Sequence, residues 1–155
     1  MVMKRKVQIR QHIFNGIATA FILLFCYAAT SKIIDFENFQ VQLAQSPMLS
    51  AFSDELSFAV PISEFLIVIL FMIRRYKFTA MFLSFTIMIM FTAYIYMILN
   101  YSSYVPCSCG GVLEKLGWKE HKIFNIAFIL MAVVAIIIYP QEKLIGTNTI
   151  RDYEN

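Results

Sequence analysis

Four stretches of the chain are apolar with almost no charge: 13–30 (IFNGIATAFILLFCYAAT), 56–73 (LSFAVPISEFLIVILFMI), 78–99 (FTAMFLSFTIMIMFTAYIYMIL) and 123–139 (IFNIAFILMAVVAIIIY). Each holds about 17 to 22 residues, enough at ~1.5 Å per residue to cross a ~30 Å hydrocarbon core. They predict four transmembrane helices. Between the first two lies SKIIDFENFQVQLAQSPMLSAFSDE, which is too polar to span. Within it Phe36, Phe39 and Leu43 recur at helical spacing, with Asp35, Glu37, Asn38, Gln42 and Gln45 mostly off that stripe. This predicts a short amphipathic helix over 34–45, ended near Ser46-Pro47 and lying along the outer membrane surface. Between the last two spans, Gly110-Gly111 predicts a turn leading into one or two helical turns, with Trp118 as an interfacial anchor. The expected fold is all-α: a four-transmembrane-helix bundle in one membrane domain over 1–140, followed by a short polar tail at 141–155.

Composition agrees with the pattern, since 59% of the 155 residues are hydrophobic and only 15% are charged, which argues against a soluble domain. Lys4, Arg5, Lys6 and Arg10 ahead of the first run, with Ala28-Ala29-Thr30 after it, also fit a cleaved signal peptide. The run is long for that, three more spans follow, and Phe25 occupies the place where a lipoprotein-type site at Cys26 needs a small residue. Helix one is therefore expected to stay. Basic residues set the orientation, because short Lys/Arg-rich loops remain in the cytoplasm. The N-terminus and the link Arg74-Arg75-Tyr76-Lys77 are basic, whereas 31–55 sets Lys32 against Asp35, Glu37, Asp54 and Glu55. Both termini are expected inside, and the links after spans one and three outside. The formal charge of +3 then reflects topology. No basic stripe with interleaved aromatics speaks for nucleic acid, and neither a glycine-rich phosphate loop nor a Ser/His/Asp pattern is present.

The strongest chemical signal is VPCSCGGVLEKLGWKEH, residues 105–121, which holds two of the three cysteines in an outward-facing link where disulfides persist. Cys107 and Cys109 can close only a small, strained ring, so their bond is expected to exchange readily and to staple almost nothing. Pro106, Gly110 and Gly111 would fix an exposed turn that a partner's backbone can approach. Two other readings stay open: unreactive free thiols, and a zinc or copper site built from Cys107, Cys109 and His121, for which no second paired motif supplies the usual ligand set. His121 can equally tune a nearby thiolate or be an ordinary helix-terminus histidine. Cys26, in the outer half of helix one, is a resolving thiol or, as a lone cysteine among Leu, Phe and Tyr, a small packed hydrophobe.

Glu64, in Pro61-Ile62-Ser63-Glu64, lies well inside helix two, where a charge costs ~3 kcal/mol on insertion scales. It must be protonated or face the bundle with a partner. Lys32, at the outer end of helix one, can snorkel toward Glu64 or toward lipid headgroups. Glu64 reads equally as a proton site beside a membrane quinone and as a polar latch between helices. Asn125 and Asn100 read as groups satisfying neighbouring helices or the interface.

With these residues in view, the chain resembles the MauE/DoxX family of redox-associated membrane proteins, in particular its small Bacteroidetes versions. The resemblance rests on ATSKIIDFENFQVQLAQSPML, VPISEFLIVILFMI and YVPCSCGGVLEKLGWKEHKIFN, and covers about residues 14 to 139. Its specific elements, in order, are Ser31-Lys32, Pro61-x-x-Glu64 and Cys107-x-Cys109-Gly110-Gly111. It implies a four-helix membrane bundle that handles disulfides of exported proteins. In the methylamine-utilisation branch such a protein works beside a thioredoxin-like partner to mature a cysteine-rich enzyme subunit. The expectation is thus a multi-pass protein of a bacterial inner membrane that exchanges disulfides with a periplasmic thioredoxin-like or cysteine-containing exported protein, with a membrane quinone as the conjectured electron carrier near Glu64. A non-enzymatic scaffold using the helix at 34–45 and the 105–121 link, and a Cys/His metal-binding protein, are the alternatives.

Overall fold

The computed structural model describes residues 2–46, 49–101 and 117–139. These form α1 (Val2–Ile34), α2 (Phe36–Gln45), a single 3-10 turn (Ser50–Phe52), α3 (Ser53–Met72), α4 (Lys77–Tyr101) and α5 (Trp118–Ile138), with no strand among the described residues. Helices α1, α3, α4 and α5 are each long and apolar enough to cross a membrane. The expected all-α four-span bundle with a short helix after span one is what the chain forms. The link that carries Cys107 and Cys109, and the tail from Pro140 onward, lie outside the described residues.

Helix α1 is much longer than its apolar run. Its 33 residues extend through the basic segment to Val2, because hydropathy marks only the part that needs lipid while backbone hydrogen bonding continues through Arg5, Lys6 and Arg10 into solvent. At the other end, Asp35 separates α1 from α2, and Ser46 caps α2 in an extended conformation as the sequence anticipates.

The spans pack as a closed bundle in which α1 lies on α3, α3 on α4, α4 on α5, and α5 returns to α1. Their buried residues recur at steps of three, four or seven. On α1 these are Phe14, Ala18, Phe21, Phe25 and Ala29. On α3 they include Ser57, Pro61, Glu64, Val68 and Phe71, and on α4 Met81, Ser84, Met88, Ile95 and Ile98. A 3.5-residue period keeps one seam facing its neighbours over several turns. The opposite faces carry large apolar side chains such as Leu23, Ile62, Met90 and Ile137, between 63% and 75% exposed. A surface this apolar needs lipid around it.

The core is divided along its length. Toward the N-terminus of α1 it is filled by aromatic and aliphatic groups. Phe14 meets Tyr139 edge-on at 4.9 Å, and Phe21 meets Phe128 edge-on at 5.2 Å, the geometry that the ring quadrupoles favour. Ala80 on α4, with Ala132 and Ala135 on α5, is fully buried in the same cluster. Small residues let helix backbones approach closely where the bilayer supplies no hydrophobic drive between them. Two hydroxyls on α4 bond back to their own helix, Ser84 to the Ala80 carbonyl at 2.7 Å and Thr92 to the Met88 carbonyl at 2.7 Å, so neither needs a partner across the bundle.

If close α4–α5 packing depends on Ala132, then Ala132→Leu overpacks this seam and destabilises the bundle by about 1–3 kcal/mol. Ile137→Leu, on the lipid face, leaves stability unchanged. Thermal unfolding of the two purified variants in one detergent separates them.

Candidate functional site

The buried seams of α1, α3 and α5 end in polar groups, and all of these meet at one end of the bundle. The stepping that runs Phe25, Ala29 on α1 arrives next at Lys32, so the lysine leaves the helix toward the interior. The matching seam of α3 carries Glu64, eleven residues into the helix and therefore ~16 Å along its axis. Lys32 Nζ donates to Glu64 Oε1 at 2.8 Å and to Oε2 at 3.1 Å, with Glu64 fully buried and the Lys32 side chain 14% exposed. A third hydrogen bond goes to the Ala28 carbonyl at 3.3 Å. The rings of Phe39 on α2 and Phe91 on α4 each stand 5.9 Å from the ammonium. Of the two destinations open to Lys32 from the sequence, the carboxylate is the one it takes. One ammonium group thus touches four helices.

Over this pair lies a cavity of about 250 Å³. Its walls are largely apolar, with Phe25 from α1, Met88 and Phe91 from α4, and Phe124 from α5. Helix α2 forms part of the enclosure. Its stripe is the one the sequence marks, but it is turned onto the bundle: Phe39 and Leu43 are buried and line the cavity, and Phe36 packs on Phe58 at 4.8 Å. Gln40 ties the outer face of α2 to the start of α3 through a 2.8 Å bond to Asp54. The interior of the bundle at this end offers α2 a better apolar surface than the membrane boundary would.

Four polar residues in the cavity wall come from four different helices: Lys32, Gln42, Glu64 and Asn125; His121, half-buried in the first turn of α5, is a fifth. The ion pair satisfies two of them. Gln42 Oε1 and Asn125 Nδ2 are buried and have no hydrogen-bond partner among the described residues. Asn100 bonds the Tyr96 carbonyl of its own helix at 2.8 Å, as a residue at a helix end is expected to. Asn125 does not behave that way. It lies one helical turn past His121, on the seam that continues through Phe128 to Ala132, and so faces the cavity. The same three-four stepping, followed from the apolar residues back into the polar ones, would have found it.

The family model for methylamine utilisation protein MauE matches residues 10–138. The chain belongs to the MauE family. Neither the curated proteins nor the solved structures gave a match. Within this MauE-family bundle the sequence-marked residues divide into three groups. Lys32, Glu64 and His121 are brought together in the wall of one cavity. Cys26 is a free, partly buried thiol packed against the apolar core cluster, while its neighbours Phe25 and Tyr27 line the cavity. Pro106, Cys107, Cys109, Gly110 and Gly111 lie outside the described residues. The described chain leaves α4 at Tyr101 and resumes at Gly117, ahead of the first turn of α5 that carries His121 into the cavity wall. Among the described residues no cluster of three His, Cys, Asp or Glu side chains is arranged to hold a metal.

A desolvated ion pair is costly to break one side at a time. Glu64→Leu or Lys32→Met alone is expected to destabilise the MauE-family bundle by about 3–5 kcal/mol, because each leaves an uncompensated buried charge. The double variant Lys32→Met/Glu64→Leu is expected to recover most of that loss. A double-mutant cycle on thermal unfolding in detergent measures the coupling.

Proposed function

We propose that this protein is a thiol–disulfide redox protein of a bacterial cytoplasmic membrane, exchanging disulfides with exported proteins or a thioredoxin-like partner through Cys107 and Cys109. The observation that carries the reading is the largely apolar, partly aromatic cavity inside the bundle, which holds the Lys32–Glu64 pair in its wall and lies at the end where α4 stops and α5 starts. An external dithiol alone can exchange disulfides but has nowhere to send or obtain electrons. A cavity of this kind supplies that place. With the basic N-terminus and Arg74-Arg75-Tyr76-Lys77 held in the cytoplasm, the cysteine pair and the cavity face the periplasm.

The chemistry follows from the spacing. One cysteine, as thiolate, attacks a sulfur of a partner disulfide and the second cysteine resolves the mixed disulfide; in reverse, a partner thiolate attacks the Cys107–Cys109 bond and the partner's second thiol resolves the mixed disulfide. Joining the two thiols releases two electrons and two protons. A membrane quinone near Glu64 would accept both. The family match supports the membrane setting, and the family's disulfide link supports the reaction class. The scaffold alternative uses the helix at 34–45 and the 105–121 link; Phe39 and Leu43 of that helix are buried against the bundle, which leaves a partner its outer side, where Val41 is exposed.

Acid-trapping of intact cells, followed by mass-tagged alkylation before and after reduction, reads the state of the pair. A Cys107–Cys109 disulfide that forms and disappears with oxidant supply is expected, together with a mixed disulfide trapped in the Cys107→Ser or the Cys109→Ser variant. Cysteines reduced under every condition would overturn the relay.

A further inference from the structure

Resting on the relay just proposed, we infer that Asn125 and Gln42 are the ring-recognition residues of a membrane-quinone site in the cavity above the Lys32–Glu64 pair. The occupant must be electrically neutral, because the ammonium and carboxylate already neutralise each other at 2.8 Å and a further buried charge would have no counter-ion. It must also reach a site within the spans. Tyr27 and Met90 contribute to the cavity wall and are 40% and 63% exposed on the bundle surface, so the wall reaches the lipid-facing side of α1 and of α4.

Size and lining narrow the class. An apolar cavity of about 150 Å³ already takes up benzene, so about 250 Å³ admits a substituted ring. Phe25, Phe91 and Phe124 offer faces and edges to such a ring. A lipid acyl chain would fill the space but leave Gln42 Oε1 and Asn125 Nδ2 buried and unpaired, the costly condition for an amide. A neutral ring bearing oxygen atoms removes that cost.

The residue types suit both redox forms of one molecule. A quinone presents carbonyl acceptors and its quinol presents hydroxyl donors. A primary amide holds an acceptor and two donors on one plane, so Asn125 and Gln42 can donate to the first form and, turned over, accept from the second. Lys32 only donates and an ionised Glu64 only accepts. Oxidation of the Cys107 and Cys109 thiols to a disulfide supplies the two electrons and two protons that convert the quinone to its quinol.

Calorimetric titration of the purified full-length protein in detergent with menadione and with decylubiquinone tests the site, with readouts independent of turnover. Saturable binding of at least one of them is expected, with affinity reduced roughly tenfold by Asn125→Leu and by Gln42→Met. Thr86→Ala, on the lipid face, should bind as the parent does. Gln42 lies outside the spans, so Gln42→Met carries the test if Asn125→Leu fails to fold; the melting temperature of each variant establishes that. Binding unchanged in a folded Gln42→Met protein, or no saturable binding of either quinone to the folded parent, overturns the inference. A Cys107→Ser/Cys109→Ser protein separates the two ideas. Quinone binding retained there, with no disulfide cycling in cells, sustains the site and sinks the relay. Disulfide cycling without quinone binding does the reverse.

Discussion

An ion pair in the interior of a membrane-spanning bundle is the constraint around which the rest is arranged. Neither Lys32 nor Glu64 could stay charged there alone, since a charge at that depth has no water to turn to. Each therefore dictates where the other must be. Lys32 must extend down from the end of α1, and Glu64 must face inward from the middle of α3. The remaining ammonium contacts, the Ala28 carbonyl and the rings of Phe39 and Phe91, bring α2 and α4 into the same arrangement. Replacing the pair by apolar groups of similar volume would satisfy stability about as well. The proposed relay gives the pair a use other than holding helices together.

That use is framed by how unevenly the bundle is packed. The half near the N-terminus of α1 is solid, built from edge-on aromatic pairs and buried alanines. The other half stays open around the ion pair, and α2 folds over it. A short helix of ten residues is marginal by itself. It is held by burying Phe39 and Leu43 and by the Gln40–Asp54 bond. The polar chemistry and the enclosing helix thus share one end, the end at which α4 stops and α5 starts. In the relay proposed above, a membrane-dissolved electron carrier would enter this end from within the bilayer and an exported thiol partner would meet it from outside.

Several particulars show where sequence patterns reach and where they stop. The apolar runs gave the four spans to within a few residues at their lipid-crossing ends, yet missed the N-terminal turns of α1, because hydropathy is silent about helix that continues into water. The stripe Phe36, Phe39, Leu43 was legible, but its destination was not. A stripe says that a face wants burial and leaves open whether lipid or protein provides it. The sequence leaves Lys32 between two destinations for the same reason. Asn125 reads from its position as a group satisfying neighbouring helices or the interface, although the three-four register through Ala132 and Phe128 carries it to the interior.

Taken by itself, the sequence determined what local physics decides: which segments must lie in lipid, that they must be helical to satisfy their own backbone there, and which residue types could exchange electrons or carry charge. Tertiary structure alone decided which of these meet. Lys32 and Glu64 are separated by a surface helix and half a span along the chain, and Gln42 and Asn125 by two further spans. Only the closing of four helices into one ring brings their side chains to a common space. Periodicity specifies the inward face of each helix, but the axial height at which two inward faces meet is set by packing between helices, which no single helix encodes.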